Sequence, residues 1–144
     1  INSILDKAKP RKGAEELIAN LHKANVKTII LSGGIQFLAD KWARKWNMDG
    51  ALANELIDDK NGNLTAIIKS SGHNKGPVME KMIEKYNLEK NEIAAIGDTM
   101  VDIPTFERAG LSVAVNTEDE RVITKADYHL KGDLTELIKL ILNW

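Results

Sequence analysis

The sequence predicts a doubly wound α/β fold, in which a mostly parallel sheet carries helices on both faces. Two observations lead to this expectation. Segments with apolar residues at helical spacing alternate along the chain with short β-branched runs. Several of these runs lack the alternating polar residues of a half-exposed strand, which is typical of strands buried on both faces. Helix and strand in repeated alternation favour parallel strands joined by helical crossovers.

The first elements are a helix and a strand. Residues 14–25 place Leu17 and Leu21 on one helical face and predict an amphipathic helix. Residues 26–31 form a short β-branched run that predicts a strand buried on both faces. This strand is expected to end at the turn Ser32-Gly33-Gly34.

A second helix is expected over residues 35–46. Its apolar stripe includes Trp42 and Trp46, which lie four positions apart and so on one helical face. This spacing is typical of a helix packed on a sheet. We therefore expect the aromatic stripe to lie in the core.

A hairpin and further helix–strand units are expected in the rest of the chain. The Asn-Gly pair at 61–62 is typical of a tight hairpin turn and predicts antiparallel strands over 51–57 and 64–68. Beyond it, periodicity predicts helices over 75–86, 102–109 and 134–142, a helical patch near Arg121, and strands over 92–96, 111–115 and 127–130.

The composition predicts one compact domain over residues 1–144. A hydrophobic content of 43% and a charged content of 28% suffice for a core and exclude a disordered or fibrous chain. The net charge is −1, and no run of like charge favours a nucleic-acid partner. No apolar run approaches the roughly 18 residues of a membrane span, so no membrane partner is expected either.

The sequence does not predict a metal site built from cysteine or histidine. It contains no cysteine, which excludes disulfides and thiolate ligands and is compatible with a cytoplasmic location. The histidines are His22, His73 and His129. They show no metal-ligand spacing.

A glycine-rich turn is a candidate phosphate site. In open α/β sheets, ligands bind beyond the carboxyl ends of the strands. The Ser32 hydroxyl and the N–H groups of Gly33 and Gly34, at the start of a helix, would form a cradle for phosphate. Serine-glycine turns are common, so a purely structural turn is the alternative.

Three charged residues are further candidates. Asp98 and Asp102 follow a predicted buried strand, where carboxylates suit a hard cation such as Mg²⁺. Alternatively, Asp98 caps the next helix and Asp102 is a solvated acid of its first turn. Lys75 lies beside a predicted helix start, where an ammonium group would neutralise a phosphoryl group. The alternative for Lys75 is ordinary surface charge.

Four runs stand in a fixed order along the chain: 29–34, Lys75-Gly76, 95–104 and 109–115. Their order and spacing resemble the second to fourth motifs of phosphatases of the haloacid dehalogenase (HAD) superfamily. The likeness extends to the lead-in at 9–14 and to the hairpin. Within the superfamily it is closest to the phosphoserine-phosphatase-like branch.

The resemblance implies a Rossmann-like core that hydrolyses a small phosphorylated metabolite with Mg²⁺ through an aspartyl-phosphate. In this interpretation, Ser32 and the Gly33 N–H bind a phosphoryl oxygen, and Lys75 balances charge on the phosphoryl group and the nucleophile. Asp98 binds Mg²⁺, and Asp102 orients Lys75 or a metal-bound water. We expect Ser32, Lys75 and Asp98 to open onto one cleft.

The family's first motif is an Asp-x-Asp-x-Thr-like run that supplies the nucleophile and the general acid/base, and no such run occurs here. The nearest acidic pair, Asp58-Asp59, lies in the hairpin. Because the chain begins at Ile1 and its first methionine is Met48, we expect a fragment without the first motif and cap. Such a fragment is expected to be inactive alone.

The resemblance also implies that the first central strand of the sheet is missing. In the family that strand pairs on one side with the strand that is 26–31 here and on the other with 92–96. An unpaired interior edge is costly. We therefore expect a nicked-off N-terminal piece or a partner chain to supply the strand, or the two edges to close onto each other.

Another departure from the family is Val101, where phosphoserine phosphatases usually carry an asparagine that contacts the active site. Two alternatives to an enzyme core stay open. One is an inactive module that binds phosphate and Mg²⁺, or that partners a nucleophile-bearing chain. The other is a methyltransferase-like or receiver-like α/β domain, which would not need Ser32 and Lys75.

Overall fold

The computed structural model describes residues 6–58, 61–69 and 74–144. In chain order its helices and strands are α1 (Ala14–Lys23), β1 (Ile29–Ile35), α2 (Gln36–Lys45), β2 (Gly50–Asp58), β3 (Leu64–Ile67), α3 (Gly76–Tyr86), β4 (Ala94–Gly97), α4 (Ile103–Phe106), β5 (Leu111–Val115), α5 (Glu120–Ile123), β6 (Tyr128–Leu130) and α6 (Leu137–Leu142). Short 3₁₀ turns cover Lys90–Glu92, Met100–Asp102 and Leu134–Glu136. The predicted α/β class is confirmed.

These elements group into two compact units. The first unit comprises Ile1–Lys69 and Asp133–Asn143, and the second comprises Ser70–Gly132 and Trp144. Each contains a three-stranded sheet, β1-β2-β3 in the first and β4-β5-β6 in the second. The single domain expected over residues 1–144 stays a prediction.

The sheet of the first unit combines a parallel pair with the predicted hairpin. β1 and β2 are parallel, and β2 and β3 are antiparallel. On one side of this unit, α1 packs against α6 and the turn that precedes it. Leu17 and Leu21 of α1 are buried, as are Leu134 and Leu137. The amphipathic spacing of α1 therefore describes its buried face correctly.

The buried face of α2 differs from the expected one. Ala39 and Ala43 are 6% and 8% exposed, whereas Trp42 and Trp46 are half-buried. The two indole rings lie 4.9 Å apart between centroids, and Lys45 Nζ lies 5.0 Å from the centroid of Trp42. The expectation that the aromatic stripe lies in the core is wrong, because the small alanines let the α2 backbone approach the sheet.

The sheet of the second unit is entirely parallel. β5 lies between β4 and β6, and all five of its residues are buried. Four of its five residues are apolar and the fifth, Ser112, is hydrogen-bonded to Asp127, which matches a strand covered on both faces. The helix predicted over 102–109 is shorter than expected: a 3₁₀ turn over Met100–Asp102 leads into α4.

β1 and β4 are each the terminal strand of their own sheet. The expectation that the two edges close onto each other stays a prediction. The other expectation, that a strand is supplied from outside this sequence, stays a prediction.

No helix in the described part of the chain combines the length and the apolar character that crossing a membrane requires.

Candidate active site

The segment 98–102, called here the Asp98 loop, follows β4 directly. β4 is in register with β5, with Gly97 opposite Ala114, so the loop leaves from the carboxyl end of a parallel pair. Asp102 is 3% exposed. Its Oδ2 accepts hydrogen bonds from the backbone N–H groups of Asp98 and Thr99, both at 3.0 Å, and from Thr99 Oγ1 at 3.1 Å. One carboxylate oxygen thus organises the whole loop.

The other oxygen of Asp102 meets Lys75. Lys75 Nζ donates to Asp102 Oδ1 at 2.5 Å, and the two side chains are 12% and 5% exposed. Lys75 is therefore not ordinary surface charge, and Asp102 is not a solvated acid. Thr99, not Asp98, is the N-cap of the following 3₁₀ turn, which also excludes the capping alternative for Asp98.

The surroundings of Asp102 keep it ionised. Burial alone would raise the pKa of the carboxyl group, but the hydrogen bond and positive charge of Lys75 act in the opposite direction. The N–H groups of Thr99 and Asp98 add to them, and the pKa of Asp102 lies below its ordinary value. The site therefore contains a buried, oriented ammonium–carboxylate pair at neutral pH.

Glycine is required where the Asp98 loop leaves β4. A Cβ atom added to Gly97 would lie 2.5 Å from Asp102 Cγ and 2.7 Å from Asp102 Oδ2. These separations are far shorter than van der Waals contact. The missing side chain of Gly97 is what lets Asp102 fold back against the end of its own strand.

The backbone around Lys75 is held from two sides. Its N–H donates to the carbonyl of Val101 at 3.3 Å, so the Asp98 loop binds Lys75 through the backbone as well as through Asp102. Next to it, Gly76 N donates to Asn74 Oδ1 at 2.8 Å. A Cβ added to Gly76 would lie 3.0 Å from the guanidinium carbon of Arg108. Little space is left for Lys75 to shift.

The segment Ser32-Gly33-Gly34, called here the Ser32 loop, belongs to the first unit. The predicted strand does not end before it: β1 continues to Ile35, and α2 begins only at Gln36. The glycines are therefore not at a helix start. The Gly34 N–H donates to Ser32 Oγ at 3.0 Å.

The residues present fit Mg²⁺ in one respect. Mg²⁺ is usually held by one or two carboxylates together with water and substrate phosphate oxygens, and the half-buried Asp98 stands directly after the strand. Asp102 suits a ligand role less, since both of its oxygens already accept hydrogen bonds. In residues 6–58, 61–69 and 74–144, no group of three or more His, Cys, Asp or Glu could hold a metal ion.

The structure brings some of the predicted residues together. Lys75, Asp98 and Asp102 share the second unit, whereas Ser32 and Gly33 lie in the first. Their common opening onto one cleft stays a prediction.

The remaining candidates have ordinary structural partners or fall outside the structure. His22 Nε2 lies 2.7 Å from Thr28 Oγ1, and His129 Nε2 lies 3.1 Å from the Thr117 carbonyl oxygen. Asp58 is exposed at the end of β2. Asp59 and His73 lie outside the described residues.

The sequence interpretation missed several residues that shape the site. Thr99 could have been identified from the sequence, because Thr-x-x-Asp is a capping-box pattern. The sequence indication for Asn74 was weaker: asparagine often accepts a hydrogen bond from the N–H two positions later. Gln36 and Asn54, which contact β2 and the Ser32 loop, had no local signal.

Comparisons with known proteins show the family of this chain. A family model described as haloacid dehalogenase-like hydrolase matches residues 1–110. The phosphoserine phosphatase of Methanocaldococcus jannaschii is 34% identical, over 98% of this chain and 68% of that protein. The phosphoserine phosphatase of Archaeoglobus fulgidus is 31% identical, over 83% of this chain but 35% of that protein. The chain thus spans about a third of one relative and about two thirds of the other.

A solved structure of a substrate-bound phosphoserine phosphatase complex is similar to this chain over 97% of its length and 68% of that chain. The TM-score is 0.88 at 31% sequence identity. This similarity covers both compact units and agrees with the α/β fold.

Proposed function

The chain belongs to the haloacid dehalogenase-like hydrolase family, and on this premise we propose that it is the phosphate-binding core of a magnesium-dependent phosphomonoester hydrolase. The proposed reaction transfers a phosphoryl group to an aspartate carboxylate and then hydrolyses the aspartyl-phosphate. The substrate is a small phosphorylated metabolite. Phosphoserine is the first compound to test, because the similar proteins are named phosphoserine phosphatases.

The observation that carries the proposal is the buried Lys75–Asp102 pair beside Asp98. Catalysis of phosphoryl transfer depends mainly on positioning and on stabilising negative charge. A buried ammonium group held at a fixed position does this without reorganising when the charge develops. Asp102 orients Lys75, and it does so from the loop that also carries the proposed magnesium ligand.

The other residues have complementary roles in the proposal. The Ser32 hydroxyl and the Gly33 N–H donate hydrogen bonds to a phosphoryl oxygen. Asp98 holds Mg²⁺, which when bound neutralises charge on the phosphoryl oxygens. Lys75 balances charge on the phosphoryl group and on the attacking carboxylate.

The nucleophile is assigned to a segment outside the 144 residues, since these contain no Asp-x-Asp run. That segment, on the same polypeptide or on a partner chain, would also supply the central strand. The 144-residue chain alone should therefore show no phosphomonoester turnover with Mg²⁺. Clear turnover by the purified chain would contradict this assignment.

A magnesium titration of the complete protein tests the metal assignment. Asp98→Asn should raise the Mg²⁺ concentration needed for half-maximal hydrolysis more than Asp102→Asn does, because Asp102 already binds Lys75 and the loop N–H groups. Asp119→Asn, at the N-cap of α5 in the same unit, is the control and should leave the requirement unchanged. Equal or reversed effects at Asp98 and Asp102 would overturn the assignment.

A second candidate function is a module that binds phosphate and Mg²⁺ without turnover. The observation that favours it is the same lack of an Asp-x-Asp run. The two proposals differ in one measurement: adding a nucleophile-bearing segment should restore hydrolysis to an enzyme core and leave a binding module inactive.

A further inference from the structure

The Ser32 loop bulges away from the strand beside it. In the parallel pair, Leu31 lies opposite Leu52, and the next paired residues are Ile35 and Asn54. β1 thus advances four positions (31 to 35) while β2 advances two (52 to 54). The extra residues interrupt the ladder and leave Ala53 of β2 without a paired residue in β1.

The Gln36 side chain supplies hydrogen bonds to β2 where the ladder with β1 is interrupted. Ala53 is completely buried, and an unpaired N–H there would be costly. Its N–H donates instead to Gln36 Oε1 at 2.6 Å. Gln36 Nε2 in turn donates to the Ala51 carbonyl oxygen at 3.1 Å and to Asp40 Oδ1 at 2.7 Å. The side-chain amide takes the place that a neighbouring backbone would occupy.

Asn54 holds the bulged backbone itself. Its Nδ2 donates to the Gly33 carbonyl oxygen at 2.9 Å, while its Oδ1 accepts from the Lys69 N–H at 3.0 Å. A trans peptide unit is planar, so fixing the Gly33 carbonyl also fixes the Gly34 N–H on the opposite side. That N–H donates to Ser32 Oγ. Asn54 therefore orients the Ser32 hydroxyl through one rigid peptide.

We propose that Gln36 and Asn54 are positioning residues for the Ser32 loop. Gln36 keeps β2 satisfied so that the loop stays bulged, and Asn54 aims the Gly33–Gly34 peptide and, through it, the Ser32 hydroxyl. This inference rests on the proposed role of Ser32 as a phosphate donor. It assigns the shape of that site to two neutral amides rather than to the glycines alone.

The test separates the two ends of the Asn54 amide. Asn54→Asp removes the donor to Gly33 and keeps the acceptor for Lys69, whereas Asn54→Ala removes both. Asn20→Asp, where an exposed amide donates within α1, is the matched control. The measurements are amide hydrogen exchange at Gly34 and titration of each 144-residue variant with inorganic phosphate, followed by NMR.

We expect Asn54→Asp to speed exchange at Gly34 and to weaken phosphate binding by about tenfold, the order expected for one misplaced hydrogen bond to an anion. Asn20→Asp should change neither. If the amide hydrogen of Gly34 exchanges in Asn54→Asp at the wild-type rate, the inference is overturned. So would faster exchange with unchanged phosphate affinity, because Asn54 would then be only structural.

Ser32→Ala distinguishes failure of this inference from failure of the proposed function. If wild type binds phosphate and Ser32→Ala binds it equally well, the proposed role of Ser32 is wrong, and the positioning role is overturned with it. If Ser32→Ala weakens binding and Asn54→Asp does not, the proposed function stands and the inference about Asn54 is wrong.

Gln36→Glu provides an independent arm. The substitution keeps the acceptor for Ala53 but replaces both donated hydrogen bonds with repulsion between oxygen atoms. Weaker phosphate binding than in wild type would support the role of Gln36. Unchanged binding and unchanged Gly34 exchange would remove Gln36 from the proposal.

Discussion

The Ser32 loop and the Asp98 loop both interrupt regular structure at the carboxyl end of a parallel strand, but they are stabilised by different chemistry. The neutral amide of Asn54 donates to the Gly33 carbonyl of the Ser32 loop, and that of Gln36 accepts from Ala53 in the neighbouring strand. An ionised carboxylate, Asp102, holds the Asp98 loop and pairs with a buried ammonium group. This difference implies that the stability of the Asp98 loop depends on the protonation state of Asp102, whereas the stability of the Ser32 loop does not depend on a carboxylate of this kind.

The largest expected effect on stability is at Asp102 in the Asp98 loop. Asp102→Ala would leave Lys75 without its anion and the N–H groups of Asp98 and Thr99 without their acceptor. Removing one partner of a buried pair should lower the free energy of unfolding by about 3 kcal/mol, measured by urea denaturation at pH 7. Asp119→Ala, at a half-buried acid paired with the exposed Arg121, should cost clearly less. Equal losses would show that burial of the pair does not matter.

Gly97→Ala tests the same loop without changing its charges. The added methyl group would collide with Asp102, and overpacking of this kind should cost about 2 kcal/mol in the free energy of unfolding. Gly50→Ala is the control, because the nearest atom to its added Cβ is 3.7 Å away. If both variants unfold at the same urea concentration, the close approach of Asp102 to Gly97 is not required.

A pH series compares the two loops directly. The pKa of Asp102 is lowered in the folded chain by Lys75 and the loop N–H groups, which outweigh the opposing effect of burial. Its stabilisation should be fully present above the ordinary aspartate pKa of about 3.9 and be lost as the pH falls through the lower folded value. The free-energy difference between wild type and Asp102→Asn should thus shrink below about pH 4.

The difference in the free energy of unfolding between wild type and Asn54→Ala should stay constant over the same pH range, because this substitution removes no titrating group. Urea denaturation between pH 7 and pH 3 measures both differences. A constant difference for Asp102→Asn, or a shrinking one for Asn54→Ala, would contradict the assignment of ionic and neutral stabilisation to the two loops.

The smallest expected effect is at an exposed ion pair near Lys75. Arg108 contacts Glu80 of α3 and the Pro104 carbonyl of α4, but the Glu80 side chain is 60% exposed. Glu80→Gln should therefore cost about 0.5 kcal/mol at most. A loss in urea denaturation as large as that of Asp102→Ala would show that this pair, rather than the buried one, holds Lys75.

Much of the second unit was predictable because its signals are local. β5 matches the predicted bounds 111–115, since a short, mostly apolar run bounded by turn residues has few alternatives. The position of Asp98 directly after a strand was also predictable from the sequence. The predicted role of α2 failed at Trp42 and Trp46, where hydrophobicity indicated the core and the size of the alanines decided the contact.

The sequence by itself determined the alternation of helices and strands, the hairpin at the Asn-Gly pair and the order of the candidate motifs. Only the tertiary structure decided that Lys75 meets Asp102 across 27 positions, that Ala53 meets Gln36 across 17 and that Asn54 meets Gly33 across 21. Periodicity and turn chemistry depend on neighbouring residues. These contacts depend on which strands lie side by side and on where one of them bulges.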